Sequence, residues 1–225
     1  MSDIAIRTEA DDPMLIADDT ARELLEGAPW RRFAVIGDSL ALGVGDPSPG
    51  YRAVGWSDRL AEILTSVRPD LAYLNTGRVG ATVEQVIDRQ LEAVLEFRPD
   101  LVHIGCGGND LFLPDGLDSL AERLDTLFAA VHACGAQIFA FTIADVWETE
   151  RMAPMRSLRD RMAILNGIVG ELSARYGVLL VEFWNHPLRL RPDLMSEDLI
   201  HFTTSGHAVV TTEVVRALSG LLPAG

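Results

Sequence analysis

Five short apolar runs, each rich in β-branched or aromatic residues and closed by Gly, Asn or Asp, alternate with stretches whose apolar residues recur at helical spacing. The runs span residues 33–36, 71–74, 101–104, 137–143 and 178–183. Between the second and third, Val83, Val86, Ile87, Gln90, Leu91, Val94 and Leu95 form one stripe that can lie on a sheet, and Pro99 stops it. Comparable stripes cover about residues 56–67, 117–133, 158–176 and 205–222. Strand and helix in strict alternation predict one parallel sheet covered on both faces, an α/β fold. The 225 residues and 48% hydrophobic content suffice for one such domain.

The tetrad Arg-Pro-Asp-Leu occurs at residues 68–71, 98–101 and 191–194. Its first two copies fall at corresponding helix-to-strand corners: Arg near the helix carbonyls, Pro to end the helix, Asp before the strand. They read as corner chemistry and give no repeat architecture. Residues 1–30 carry one weak helix signal, with Asp18, Asp19 or Thr20 as N-cap before residues 21–25, and read as an extension packed outside the domain of residues 31–225, with Trp30 as its anchor.

A formal net charge of −14 disfavours phosphate backbones and anionic membrane surfaces, so no nucleic-acid partner is expected. All 19 basic residues are Arg, which excludes a P-loop lysine or a Schiff-base lysine. No apolar run is long enough to insert into a membrane, and Ser2, Asp3, Glu9, Asp11 and Asp12 are acidic or neutral where a signal peptide is positive, so the expectation is a cytoplasmic protein. Cys106 and Cys134 lack metal-ligand spacing and are expected to be small core residues.

Loops after the strands of an open parallel sheet gather on one edge. Ser39, in Gly37-Asp38-Ser39-Leu40, follows the first strand; residues 75–82 follow the second; Gly107-Gly108-Asn109-Asp110 follows the third; Asp198-Leu199-Ile200-His201 comes after the fifth. With strand order 2-1-3-4-5, all four groups share one rim. A serine hydroxyl needs a base, and the base needs a group that fixes its tautomer; Ser39, His201 and Asp198 can fill those roles. The oxyanion of an attacked carbonyl needs preorganised donors, and the Ser39 N–H, the Gly80 N–H and the Asn109 amide are candidates, with Gly77 the other choice in its segment. Asp38 and Asp110 are read as acceptors for backbone N–H groups. His103, His132 and His186 are read as structural or solvent-facing, and His207 is left out of the triad because its spacing from a carboxylate is less apt.

These four blocks, in this order, resemble the SGNH hydrolases, also called GDSL esterases and lipases, over residue 33 to the C-terminal helix. The resemblance implies a three-layer α/β/α sandwich with a flavodoxin-like five-stranded parallel sheet, order 2-1-3-4-5. It implies Ser39 as nucleophile, His201 as base, Asp198 as orienter, and an oxyanion hole of Ser39, Gly80 and Asn109. It also implies no metal and no organic cofactor. Phe202 departs from the Pro that often follows the family's histidine and is expected to alter the pocket wall. The expected activity is that of a serine esterase acting on carboxylic esters, thioesters or O-acetyl groups of a small molecule through an acyl-enzyme; an acyltransferase would use the same intermediate. The segment 104–108 also resembles the first motif of methyltransferases that bind S-adenosylmethionine, but its glycines are wrongly spaced and that reading leaves Ser39, Asp198 and His201 unexplained. A catalytically silent binding module is the third class. The loop at 147–155, with Trp147, Met152 and Met155, reads equally as a cover for the acyl pocket or as surface. Neither the substrate's two halves nor the oligomeric state is legible.

Overall fold

In the computed structural model, which describes residues 7–223, the elements run α1 (Asp18–Leu24), β1 (Arg32–Gly37), α2 (Ser39–Leu42), α3 (Trp56–Val67), β2 (Ala72–Asn75), α4 (Val83–Phe97), β3 (Leu101–Gly105), α5 (Leu120–His132), β4 (Gln137–Phe141), α6 (Arg159–Tyr176), β5 (Leu179–Val181) and α7 (Thr204–Ser219). The five strands form one parallel sheet in the order β2-β1-β3-β4-β5. This is the parallel α/β architecture that the alternation predicts and the strand order that the family resemblance implies. Ser2 and Asp3 of the acidic leader lie outside the described residues.

Successive residues of β1 face opposite sides, as the two-residue strand period requires. Phe33 and Val35 join a core with α1, α3 and α7, whereas Ala34 and Ile36 join a second core with α4, α5 and α6. Helix α4 starts with a capping box: Thr82 accepts from the Gln85 N–H while the Gln85 side chain reaches back to the Thr82 N–H. Its C-cap is Arg98, just ahead of Pro99.

Two strands end sooner than their apolar runs. After Phe141 the chain leaves the ladder because side chains take over: Asn166 on α6 accepts from the Ile143 N–H (2.8 Å) and donates to its carbonyl (2.9 Å). Thr142 Oγ1 accepts from the Phe183 and Trp184 N–H groups, ending β5 in the same way. Helix α1 begins earlier than expected and is capped by Ala17, with no side-chain cap bond.

Cys134 is a correction. Helix α5 stops at His132, so Cys134 falls in the following turn and is exposed, not a core residue; Cys106 is partly buried against the second core. Among the described residues, no helix is long and apolar enough to cross a membrane.

The described part of the segment before β1 is tied down at several points. Helix α1 packs on α3 and α7, and Trp30 is buried in the first core. Asp12 accepts from Arg191 Nη1 (2.6 Å) and from the Tyr51 hydroxyl (2.7 Å). The third Arg-Pro-Asp-Leu copy differs from the others in that its Arg191 is buried in an ion pair, whereas the Arg68 side chain of the first donates to the Ala28 carbonyl. In the second, Asp100 accepts from the Arg31 and Arg32 N–H groups at the entry to β1, as a corner residue does.

Candidate active site

Ser39 sits at the junction of β1 and the one-turn helix α2. Asp38 caps that turn, its Oδ1 accepting from the Leu40 N–H at 2.9 Å. The junction is tight because Gly37, at φ +151°, passes so close to β3 that a Cβ would lie 1.9 Å from the Gly105 carbonyl oxygen. Gln90 fixes Gly37 from the opposite layer: its Oε1 accepts from the Gly37 N–H (3.0 Å) and its Nε2 donates to the Gly37 carbonyl (2.8 Å). Sequence reasoning placed Gln90 in the apolar stripe of α4. The overlooked signal is an amide at a position whose neighbours in the stripe are aliphatic.

His201 and Asp198 come from the chain between β5 and α7, in a turn and not a helix. Asp198 Oδ1 accepts from the Ile200 N–H (2.9 Å) and the His201 N–H (3.1 Å). Closing this turn puts Leu199 in the left-handed region at φ +60°, a conformation costing a branched L-residue on the order of 1–2 kcal/mol. The turn is clamped from outside. Met195 and Phe202 form an antiparallel bridge, Ser196 donates its N–H to the His201 carbonyl (2.8 Å), and Asp46 Oδ2 accepts from the Glu197 N–H (2.8 Å).

The result is a continuous relay across 162 residues of sequence: His201 Nε2 lies 2.6 Å from Ser39 Oγ, and His201 Nδ1 lies 2.6 Å from Asp198 Oδ2. Ser39 and His201 are buried, whereas the Asp198 side chain is 46% exposed. Burial alone would raise the Asp198 pKa, but the Ile200 N–H and the His201 ring and N–H outweigh it and hold the carboxyl below its ordinary range.

The three sequence-derived oxyanion candidates are placed differently. Ser39 and Asn109 line one cavity; Gly80 is not among its walls and lies exposed at the head of α4, at φ +74°. Asn109 Nδ2 donates to the Ala81 carbonyl at 3.1 Å, which joins the loops after β2 and β3, and lies 3.4 Å from Asp38 Oδ2. Gly77 is otherwise engaged: its N–H donates to Asn75 Oδ1 (2.9 Å), and a Cβ there would stand 2.7 Å from the Leu42 nitrogen.

Asp38 is buried, and that burial, with the nearby Asp110 charge, pushes its carboxyl up to about 7 against the pull of the Leu40 N–H. Asp110 accepts from the Val83 N–H at the start of α4 (3.0 Å). His207 is buried, with its Nε2 donating to the Val44 carbonyl (3.1 Å), and burial pushes it down to about 4, so it is a neutral structural imidazole. His103 is likewise buried in β3 and pushed down to about 3 by desolvation. The glycine-rich segment after β3 serves packing: a Cβ on Gly107 would lie 2.9 Å from the Leu165 side chain. Among the described residues, no group of three or more His, Cys, Asp or Glu side chains is placed to hold a metal ion.

The cavity beside Ser39 is walled by the 147–155 connection, by α6 and α7, and by Phe202. Trp147 and Met152 are buried in that wall, so this part of the connection is packed structure and not free surface. Phe202 lines the cavity where the family pattern often has Pro, and the bridge to Met195 is made by the flanking amides of Ser196 and Thr203.

Solved structures share this architecture. The chain superposes on a lipase/acylhydrolase from Enterococcus faecalis with a TM-score of 0.66 at 23% identity, covering 87% of this chain and 99% of that one. An acetylxylan esterase from Geobacillus stearothermophilus gives 0.65 at 24% identity, covering 86% and 94%. An alpha/beta hydrolase enzyme from the metagenome of Lake Arreo, Spain, gives 0.65 at 22% identity, covering 88% and 98%. Likeness at this level of identity speaks for the fold. No curated protein matches the chain. The sequence itself carries the assignment, for residues 35–209 match the GDSL-like Lipase/Acylhydrolase family, a span that opens within β1 and closes in α7 and so takes in every loop described above. The chain belongs to the GDSL-like lipase/acylhydrolase family and is an ester-hydrolysing enzyme.

Proposed function

We propose that the protein is a serine esterase that cleaves carboxylic esters of a small molecule, thioesters and O-acetyl groups included, through a covalent acyl-enzyme. One observation carries this reading: His201 bridges Ser39 Oγ and Asp198 Oδ2 at 2.6 Å on each side. In the proposed cycle His201 Nε2 takes the hydroxyl proton as Ser39 Oγ bonds to the ester carbonyl carbon, and Asp198 holds the tautomer with the proton on Nδ1. The carbonyl's electron pair moves onto its oxygen. Ser39 N–H, Gly80 N–H and Asn109 Nδ2 are the proposed donors to that oxyanion, Asn109 exchanging its long contact with Asp38 for the substrate oxygen. Collapse expels the alcohol, or the thiol of a thioester, which takes the proton from His201; a water deprotonated by the same imidazole then bonds to the acyl carbon, and the acid leaves as Ser39 Oγ takes that proton back.

An acceptor alcohol or amine held in place of that water would make the enzyme an acyltransferase with the same residues in the same roles. The division into an extension, residues 1–30, and a hydrolase domain, residues 31–225, belongs to the same reading and is supported by the family match beginning only at residue 35.

Labelling with a fluorophosphonate, followed by peptide mapping, should place the adduct on Ser39, and Ser39→Ala should lower kcat by about 10³-fold or more with the fold intact. Turnover in Ser39→Ala close to that of the unaltered enzyme would refute the assignment.

A further inference from the structure

The cavity beside Ser39 has a volume of about 100 Å³, and its walls are almost wholly hydrocarbon, aromatic ring and thioether. Four of the six methionines in the chain, Met152, Met155, Met162 and Met195, stand in this one wall. Trp147, Phe141 and Phe183 back them. Asp38 is the one acidic side chain in the wall, turned toward Leu40 and Asn109, and no Arg lines it. His207 is neutral and donates to the Val44 carbonyl. Two further polar atoms, Trp147 Nε1 and His207 Nδ1, are buried without a partner and add no charge.

Size and lining together select an acyl group. An acetyl puts one methyl past the carbonyl, a group about the size of a water, for which roughly 10–15 Å³ of such space suffices, and would leave most of the cavity without contacts, whereas apolar cavities of about 150 Å³ take up a benzene ring. A Met-rich wall is unbranched and deformable, so it adapts to chains of differing shape more readily than an aliphatic wall of fixed rotamers.

We propose that this cavity is the acyl site and that it is built for an uncharged apolar acyl group of about four to six carbons, straight or branched, in preference to acetyl. The proposal rests on the reading of Ser39 as nucleophile and goes beyond it by naming the acyl half of the substrate.

The test is kcat/KM over p-nitrophenyl acetate, butanoate, hexanoate, octanoate and decanoate, corrected for spontaneous hydrolysis. Each buried methylene should raise kcat/KM about fourfold until the cavity is full, so butanoate should exceed acetate by about tenfold or more, with decline beyond hexanoate. Met155, half-buried in the 147–155 connection, is the handle: Met155→Trp should move the optimum toward acetate and Met155→Ala toward octanoate. Met162→Ala on α6 gives a second enlargement should the first variant fold poorly, with circular dichroism as the check. Acetate hydrolysed as well as butanoate, or a profile unmoved in both alanine variants, would overturn the acyl-site proposal while Ser39 labelling left the esterase reading standing. Undiminished turnover in Ser39→Ala would overturn both.

Discussion

Asp12 and Arg191, 179 residues apart in sequence, form an ion pair at 2.6 Å with both side chains almost entirely out of solvent. Arg191 also reaches Tyr51 and Asp193, and Asp193 Oδ2 accepts from the Ser205 hydroxyl at 2.9 Å. The N-terminal segment is thereby bolted to the stretch of chain that leads into the Asp198–His201 turn. Burial alone would raise the Asp12 pKa, but the Met14 N–H, Arg191 and Tyr51 outweigh it and hold the carboxyl below its ordinary range.

Removing one partner of this pair should therefore be costly. Asp12→Ala should destabilise the fold by about 3–5 kcal/mol in urea denaturation, because Arg191 would keep its charge without the carboxylate, and the double variant Asp12→Ala with Arg191→Met should recover part of the loss. A loss below about 1 kcal/mol would mean that the pair does not hold the segment.

Asp12 also contributes to acid sensitivity. A carboxyl whose folded pKa is depressed stabilises the fold above its unfolded pKa, near 4, and that stability drains away as pH falls through the lower folded value. Glu9 and Asp193 are depressed as well: burial pushes each upward, but Arg59 and the Arg52 N–H outweigh it for Glu9, as Arg191 does for Asp193. Midpoint temperature measured from pH 6 down to pH 2 should fall mainly below pH 4, and Asp12→Asn should flatten that descent.

Asp38 works in the opposite sense. Unfolded chain releases this proton near pH 4, whereas the folded protein, which buries the group beside Asp110, holds it to about 7. Across that window the folded state binds more protons, so rising pH removes stability. Asp38→Asn keeps an N-cap for Leu40 and carries no charge, so its midpoint temperature relative to the unaltered protein should climb between pH 4 and pH 7 and level off above. A constant difference across that range would show that Asp38 does not carry the raised pKa.

Gln90→Leu should cost about 1–3 kcal/mol and lower kcat more than it raises KM. The Gly37 carbonyl retains the Arg78 N–H as a donor at 3.2 Å, so the Gly37 N–H is the group left unpaired, one residue before the Asp38–Ser39 turn. Rising KM with unchanged kcat would contradict a role in setting the position of Ser39.

His201→Ala and Asp198→Ala should differ in severity. His201 is buried against Ser39, whereas nearly half of the Asp198 side chain is exposed and water can partly replace its support of Nδ1. Losses in kcat of about 10³-fold or more for His201 and about 10- to 10³-fold for Asp198 are expected; equal losses would make the carboxylate more than an orienter.

What could be read from sequence followed a physical division. Regular elements announce themselves through period, so the α3 stripe at residues 56–67 and the β1 run are legible, and Ser39 is marked as a candidate by its place at the end of a run and His201 by its spacing from Asp198. Contacts made by a side chain with distant backbone have no period. Asn166 standing in for a strand partner at Ile143, Gln90 gripping Gly37, and Arg191 reaching Asp12 are all of that kind. Cys134 is misread because the helical pattern runs to residue 133, past the point where the backbone leaves the helix at His132.

The two cores on opposite faces of the sheet divide the labour of the site. Most apolar side chains that wall the proposed acyl cavity, among them Val146, Met152 and Val210, belong to the layer of α1, α3 and α7, with Ile143 and Met162 reaching in from the other face, whereas Ala81 and Leu111, beside the proposed donors Gly80 and Asn109, belong wholly to the layer of α4, α5 and α6. A lineage of such proteins could therefore retune which acids it releases mostly by drifting in one layer, while the apparatus proposed to steady the negative oxygen is inherited in the other.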